Sequence, residues 1–241
     1  MNNAILITVR TGSSRLPNKS ILKINDKHTI EYVIHSVKNS SYADKIILCT
    51  TDLKQDEILC DIARKNDIDF YQGDEHDKSK RWYGACKKFD VDFFVTADGD
   101  DLFYDVGLSD LCFEQIGDND FVNGQGLYND VYGMKTTTLK TILSSLDGKN
   151  VEPYDMVEFL KTTSLKVKKL QDVPEIYKKK NIRMTLDYQE DFEFFSEVIQ
   201  NIKLDFNIKD VLSYIHNNPH VADINYKREQ DWEKNQGRNN G

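Results

Sequence analysis

Four short apolar runs, at residues 5–9, 45–51, 68–73 and 92–97, punctuate the first hundred residues. Between them, residues 29–39, 52–66 and 81–89 carry apolar side chains at helical spacing, as in Ile58, Leu59, Ile62 and Ala63. Strand, helix, strand, repeated in this way, predicts a mostly parallel sheet with helices on its faces, because parallel neighbours need a crossover and the crossover is a helix. In such sheets ligands bind beyond the carboxyl ends of the strands. The loops after the first and fourth runs are therefore where function is expected.

The first loop is cationic. Thr11, Gly12, Ser13 and Ser14 break the strand, and Arg10, Arg15 and Lys19 surround them. No Asp or Glu precedes Asp26, so the first 25 residues hold four basic side chains and no acidic one, while the whole chain carries −8. Small residues let backbone N–H groups approach an oxyanion, and Arg and Lys neutralise it, so a phosphate chain fits this loop better than a plain solvated turn does. Neither GxxxxGK[ST] nor GxGxxG occurs here, which excludes the two familiar phosphate-loop schemes.

The fourth run leads into Asp98, Gly99, Asp100 and Asp101. Carboxylates at a strand end can cap a turn, or they can hold a hard divalent cation that bridges substrate phosphates. A cation site of that kind needs a second carboxylate. Asp187 follows the alternating apolar residues Ile182, Met184 and Leu186, which predict a strand over 182–187 ending on that acid. Asp100 and Asp187 form the candidate metal pair. His216 and His220 are separated by Pro219, which breaks any shared helix, and make a poor metal pair.

The second half is less regular. Helices are expected over 109–116, 138–146, 153–160 and 190–199, and strands near 120–123, 131–135 and 165–170. With no internal repeat or Pro-rich linker, the reading is one domain over 1–225 and a polar tail over 226–241, frayed beyond Trp232. At 241 residues, with 39% apolar and 30% charged side chains, the chain can bury a core without disulfide or metal staples. Cys49, Cys60, Cys86 and Cys112 form no CxxC pair and are expected as buried thiols. The acidic balance argues against nucleic acid and anionic membrane as partners. No apolar run is long enough to span a bilayer, and no signal-peptide pattern is seen, so the cytoplasm is the expected location.

The stretch Val9-Arg10-Thr11-Gly12-Ser13-Ser14-Arg15-Leu16-Pro17-Asn18-Lys19 resembles the N-terminal signature of the sugar-acid cytidylyltransferases, the CMP-KDO and CMP-acylneuraminate synthetases, and especially their spore-coat-polysaccharide branch. Asp98-Gly99-Asp100-Asp101-Leu102 resembles their second motif, and Arg183-Met184-Thr185-Leu186-Asp187-Tyr188-Gln189-Glu190-Asp191 their late one. The resemblance implies a nucleotide-diphospho-sugar-transferase-like (GT-A-like) three-layer α/β sandwich in which a substrate oxygen attacks the α-phosphate of CTP and pyrophosphate leaves. It implies that Arg10, Arg15 and Lys19 hold the triphosphate and that Val9, Thr11, Gly12, Ser13, Arg81 and Asp98 complete the nucleotide site. Mg²⁺ would sit on Asp100 and Asp187. The acceptor would be a small anion met by Asn123, Tyr132 and Glu152, and a homodimer is expected. Three positions depart from the family pattern: Lys80 before Arg81, Asp101-Leu102 after the Gly-Asp, and Val151-Glu152-Pro153-Tyr154. The last two fall on the acceptor side, so the acceptor could differ from the usual sugar acids. A GT-A-type glycosyltransferase is the alternative, sharing the fold and the strand-end aspartate.

Overall fold

The computed structural model describes residues 1–145, 153–178, 182–203 and 205–238. The first half realises the alternation. Strand β1 (Asn3–Thr8) is followed by the basic loop, a short hairpin of β2 (Lys23–Ile24) and β3 (Lys27–His28), and helix α1 (Thr29–Val37). Then come β4 (Lys45–Thr51), α2 (Glu57–Lys65), β5 (Asp69–Gly73), α3 (Lys78–Phe89) and β6 (Phe93–Asp98). The second half contributes α4 (Val106–Gln115), β7 (Phe121–Gly124), β8 (Val131–Lys135), α5 (Thr136–Ser145), α6 (Pro153–Leu160) and β9 (Val167–Lys169). It closes with α7 (Gln189–Asn201), α8 (Ile208–Asn217) and α9 (His220–Arg238).

Seven strands form one sheet in the order β5-β4-β1-β6-β8-β7-β9. β5, β4, β1 and β6 are mutually parallel, β8 is antiparallel to both β6 and β7, and β9 pairs parallel to β7. The chain leaves β1 toward β4 and β5, then returns to lay β6 on the other side of β1. That reversal is the switch point at which loops part and open a crevice.

The strand period sorts the core. Ile5 and Ile7 of β1 join one buried cluster with Val33 and Val37 of α1 and Leu59 and Ile62 of α2. Ala4 and Leu6 join another, on the opposite face, with Trp82 and Ala85 of α3 and Leu139 of α5. A third cluster lies beyond the sheet, where Leu16, Phe103, Met184 and Leu186 meet Phe194, Phe195 and Val198 of α7. Helix starts follow local chemistry. Asp77 accepts from Lys80 N at α3, Asp105 from Gly107 N at α4, and Asn207 from Lys209 N at α8. The four cysteines are buried free thiols, and among the described residues no helix is long and apolar enough to cross a membrane.

Three expectations meet a different outcome. The helix expected over 52–66 is found as α2 (Glu57–Lys65), its first turn replaced by a 3₁₀ turn (Lys54–Asp56), because the buried Asp56 carboxylate is committed to Thr11 and Thr51. Residues 182–187 are not a strand. Their alternating side chains Met184 and Leu186 enter the third cluster, and Leu186 N donates to Asp100 O, in the loop just past β6, at 2.9 Å. The polar end is helical through Arg238, because Val221, Asn225 and Glu229 recur every fourth residue and bury one face of α9.

Candidate active site

The crevice opens where β1 and β6 end side by side, Thr8 in register with Asp98. Gly99 permits this closeness. Its N–H donates to Thr8 O at 2.9 Å, and a Cβ there would lie 2.8 Å from Val9 Cβ and 3.0 Å from Thr8 O. Beyond the strand, Thr11 turns inward to Asp56 with its N–H and its hydroxyl. Asn18 takes a left-handed φ of 58°, tolerated by Asn, and its N–H donates to Thr11 O at 3.3 Å. Lys19 is thereby aimed back into the crevice.

Lys19 Nζ lies 2.5 Å from Asp100 Oδ2 and 2.9 Å from Asp187 Oδ1, and Arg15 Nη2 reaches the same Asp187 oxygen at 2.6 Å. The other oxygen of Asp187 accepts from Arg183 Nη2 at 3.0 Å. Arg183 is nearly fully buried, and its Nε and Nη1 meet Asp191 Oδ1 at 2.9 Å and Glu229 Oε2 at 3.1 Å. Asp191 Oδ2 in turn accepts from the backbone N–H groups of Asp187 and Tyr188, both at 2.9 Å. Asp187 is thus fixed from behind by Arg183 and from its own backbone, with Oδ1 turned to the crevice.

Charge states follow from this pairing. Burial disfavours the Lys19 ammonium, but Asp100 and Asp187 outweigh it and its pKa moves up. Burial disfavours the Asp187 carboxylate, but Lys19, Arg15 and Arg183 prevail and its pKa moves down. Asp101 is met by Thr185 and Asn129, neutral groups that do not offset its surroundings. Burial, with Asp100 and Asp98 beside it, holds its pKa well above the ordinary carboxylate range.

Around these groups lies a cleft of about 760 Å³, within the range of small-molecule sites. Val9, Arg10, Gly12, Ser13, Arg15, Lys19, Arg81, Asp98, Asp100 and Asp187 all border it. Arg81, mostly buried, anchors its Nη1 on Asp74 O at 2.6 Å. Thr11 is instead spent on Asp56, Asn123 Oδ1 accepts from Gln125 N at 3.0 Å, and the Tyr132 ring packs on Phe121 with 6.0 Å between centroids. Glu152 lies outside the described residues.

The cleft also holds residues to which the sequence reading gave no role. Lys78 Nζ contacts Asp98 Oδ1 at 3.2 Å and sits over Trp82, whose Nε1 donates to Thr8 Oγ1. Asp130 accepts from Gly126 N at 2.8 Å, and burial raises its pKa. Arg183 stood inside the late motif, four residues before Asp187, in a segment that forms neither helix nor strand, so no periodicity pairs the two. Glu229 had only its recurrence on one face of α9 to signal it.

Asp100 Oδ2 and Asp187 Oδ1 converge on one cation, the Lys19 ammonium, so two hard oxygens are already arranged around a positive charge. Among the described residues no group of three or more His, Cys, Asp or Glu forms a metal cage. A two-carboxylate site with room for phosphate and water suits Mg²⁺, which keeps waters and bridges substrate phosphates.

Comparison with known proteins places this architecture. The fold is shared with a cytidylyltransferase from Leptospira borgpetersenii (TM-score 0.78, 24% identity, 92% of this chain and 97% of that one). It is shared too with CMP:2-keto-3-deoxy-manno-octonic acid synthetase, solved with CTP (TM-score 0.63, 13% identity, 83% and 99%). The spore coat polysaccharide biosynthesis protein SpsF of Bacillus subtilis is 22% identical over 235 residues, 92% of this chain and 98% of that protein. The cytidylyltransferase family model matches residues 4–219, from β1 through α8, and the chain belongs to that family.

Proposed function

We propose that the protein couples CTP to an acidic sugar or another small anionic acceptor, releases pyrophosphate, and uses Mg²⁺. The observation that carries this reading is the meeting of the basic loop with Asp100 and Asp187 around one cleft, since a triphosphate with its cation needs both signs of charge within a few ångströms. The likeness to a spore-coat polysaccharide protein supports a role in surface-polysaccharide synthesis.

In the reaction, an acceptor oxygen, either already ionised or a hydroxyl that gives its proton to water, attacks the α-phosphorus of CTP. A new P–O bond forms while the bond to the α,β-bridging oxygen breaks, and the electron pair leaves with pyrophosphate. Arg10, Arg15 and Lys19 take up that charge. Lys19 is held protonated by its acidic neighbours, so it offers a fixed positive charge rather than a proton acceptor. Asp187, held ionised, and Asp100 would bind Mg²⁺, which supplies charge neutralisation and alignment of the phosphates for in-line displacement. Catalysis of this kind is positioning and electrostatics, so it asks for no protein nucleophile.

The test is pyrophosphate release from CTP and Mg²⁺ across a panel of sugar acids and phosphorylated or phosphonate acceptors. Release with at least one acceptor is expected. Silence across the panel together with turnover of a UDP-sugar would favour the glycosyltransferase reading, in which a β,γ-phosphate tail and its three cations have no part.

A further inference from the structure

We propose that α9 belongs to the cation-binding half of the site, with Glu229 acting as a positioning residue for Asp187. The inference rests on the reading of Asp187 as a cation ligand. The family match ends at residue 219, one residue before α9 begins, so this helix lies outside the matched pattern.

Arg183 is the connection. Its planar guanidinium has three nitrogens, each on a different carboxylate: Nε on Asp191, Nη1 on Glu229 and Nη2 on Asp187. Asp191 and Glu229 together set the plane in which Nη2 meets Asp187 Oδ2. That contact decides the direction of Oδ1, the oxygen that faces Lys19 and Arg15. A planar fork is suited to such transmission, because moving one tip turns the other two.

One face of α9 provides several of these supports. Asn225 Nδ2 donates to Asp191 Oδ1 at 3.0 Å and to Arg183 O at 3.2 Å, and Glu229 follows one turn later. Arg228 pairs with Glu190 at 2.8 Å and lies 4.9 Å from the centre of the Tyr188 ring. The same ring has Arg15 at 5.4 Å and Arg183 at 5.7 Å. Glu229 itself borders the cleft with a side chain only 12% exposed. Partners hydrogen-bonded directly to a metal ligand, the place Arg183 holds, typically alter metal affinity by about 10–100-fold when removed, and Glu229 stands one contact further out.

Mn²⁺ is a suitable probe, since carboxylate and phosphate oxygens accept it much as they do Mg²⁺. Its binding is measured by electron paramagnetic resonance with CTP present and no acceptor, alongside CTP affinity without metal. Glu229→Gln should weaken Mn²⁺ by about three- to tenfold, at or below the low end of that range, with metal-free CTP affinity changed less than about twofold. Tyr226→Ala, on the exposed face of α9, should match wild type in both. Circular dichroism separates lost fold from lost position. If Glu229→Gln does not fold, Glu229→Asp, one methylene shorter with its charge kept, is measured instead and the same outcomes apply. Mn²⁺ affinity in the folded variant equal to wild type would overturn the role of α9. Wild type that binds no Mn²⁺ with CTP, or Asp187→Asn that binds it normally, would overturn the reading of the site itself.

Discussion

Arg15, on the cationic wall of the cleft, keeps 47% of its side chain exposed, whereas its partner Asp187 on the acidic wall keeps 7%. The contrast extends to their neighbours. Among the described residues, the Arg10 guanidinium reaches a backbone oxygen, Glu75 O, at 3.5 Å. Asp187 is held by Arg183, by Arg15 and by Lys19, and its segment is tied to Asp191 through two backbone N–H groups. Arg10 and Arg15 on the cationic wall are therefore placed to adapt and Asp187 on the acidic wall to stay put, while in the second pair Lys19, 14% exposed, is the tighter member and Asp100, 29% exposed, the looser. A flexible polyphosphate is gripped by side chains that follow it, while a small cation demands oxygens already in place.

If that division holds, damage to the acidic wall should cost most. Asp100→Asn should lower kcat/KM by about a hundredfold or more, the upper end of what even indirect metal partners contribute, with the fold intact by circular dichroism. Near-normal activity would remove Asp100 from the cation site. Arg183→Met should cost about 3–5 kcal/mol of stability, read as a lower urea midpoint, because it leaves Asp187, Asp191 and Glu229 buried without their shared cation. A loss below about 1 kcal/mol would mean that the three acids find other partners, and the acidic wall would be no more rigid than the cationic one.

On the cationic wall the effect should be smaller and confined to ligand. Arg15→Ala should weaken CTP by about tenfold or more, the worth of one charged hydrogen bond to phosphate, and CMP far less. Equal losses for the two nucleotides would take Arg15 off the triphosphate tail. The smallest effect is on acid unfolding. The pKa of Asp187 is lower in the folded state, so its share of stability is fully present above its unfolded pKa, about 4, and is lost as pH falls through the folded value. Asp187→Asn, already less stable at pH 7, should show a shallower fall in melting temperature below about pH 4 than wild type. An unchanged slope would mean that Asp187 gains nothing from its cations.

The same contrast explains what could be read from the sequence. The cationic wall lies within ten residues of one strand, and its charges, its glycine and the preceding apolar run stand together. The parallel order of β1, β4, β5 and β6 was equally legible, because buried strands and amphipathic helices leave different periods. The acidic wall is assembled from afar. Asp187 was singled out on the alternation of Ile182, Met184 and Leu186, which matched a strand but serves a helix-packed loop with no ladder of its own. Arg183 and Glu229 meet across 46 residues, and no local pattern reports a buried salt bridge of that span. Nothing local distinguished Thr11, which holds Asp56, from its neighbours in the cleft. Asn123 and Tyr132 were assigned by resemblance alone; Asn123 Oδ1 meets Gln125 N and the Tyr132 hydroxyl meets Asp130, two residues that border the cleft.

The central claim, that adaptable arginines and a fixed Asp187 together take CTP with a divalent cation, is tested most directly by thermal unfolding with Mg²⁺ and each nucleotide in turn. A ligand at a hundred times its dissociation constant stabilises the fold by about 2.7 kcal/mol, which shifts the melting temperature of a chain this size by several degrees. CTP with Mg²⁺ should give the largest shift, exceeding those of CTP alone, CMP, other nucleoside triphosphates and UDP-sugars. A UDP-sugar that stabilises the protein while CTP with Mg²⁺ leaves it unmoved would contradict the account.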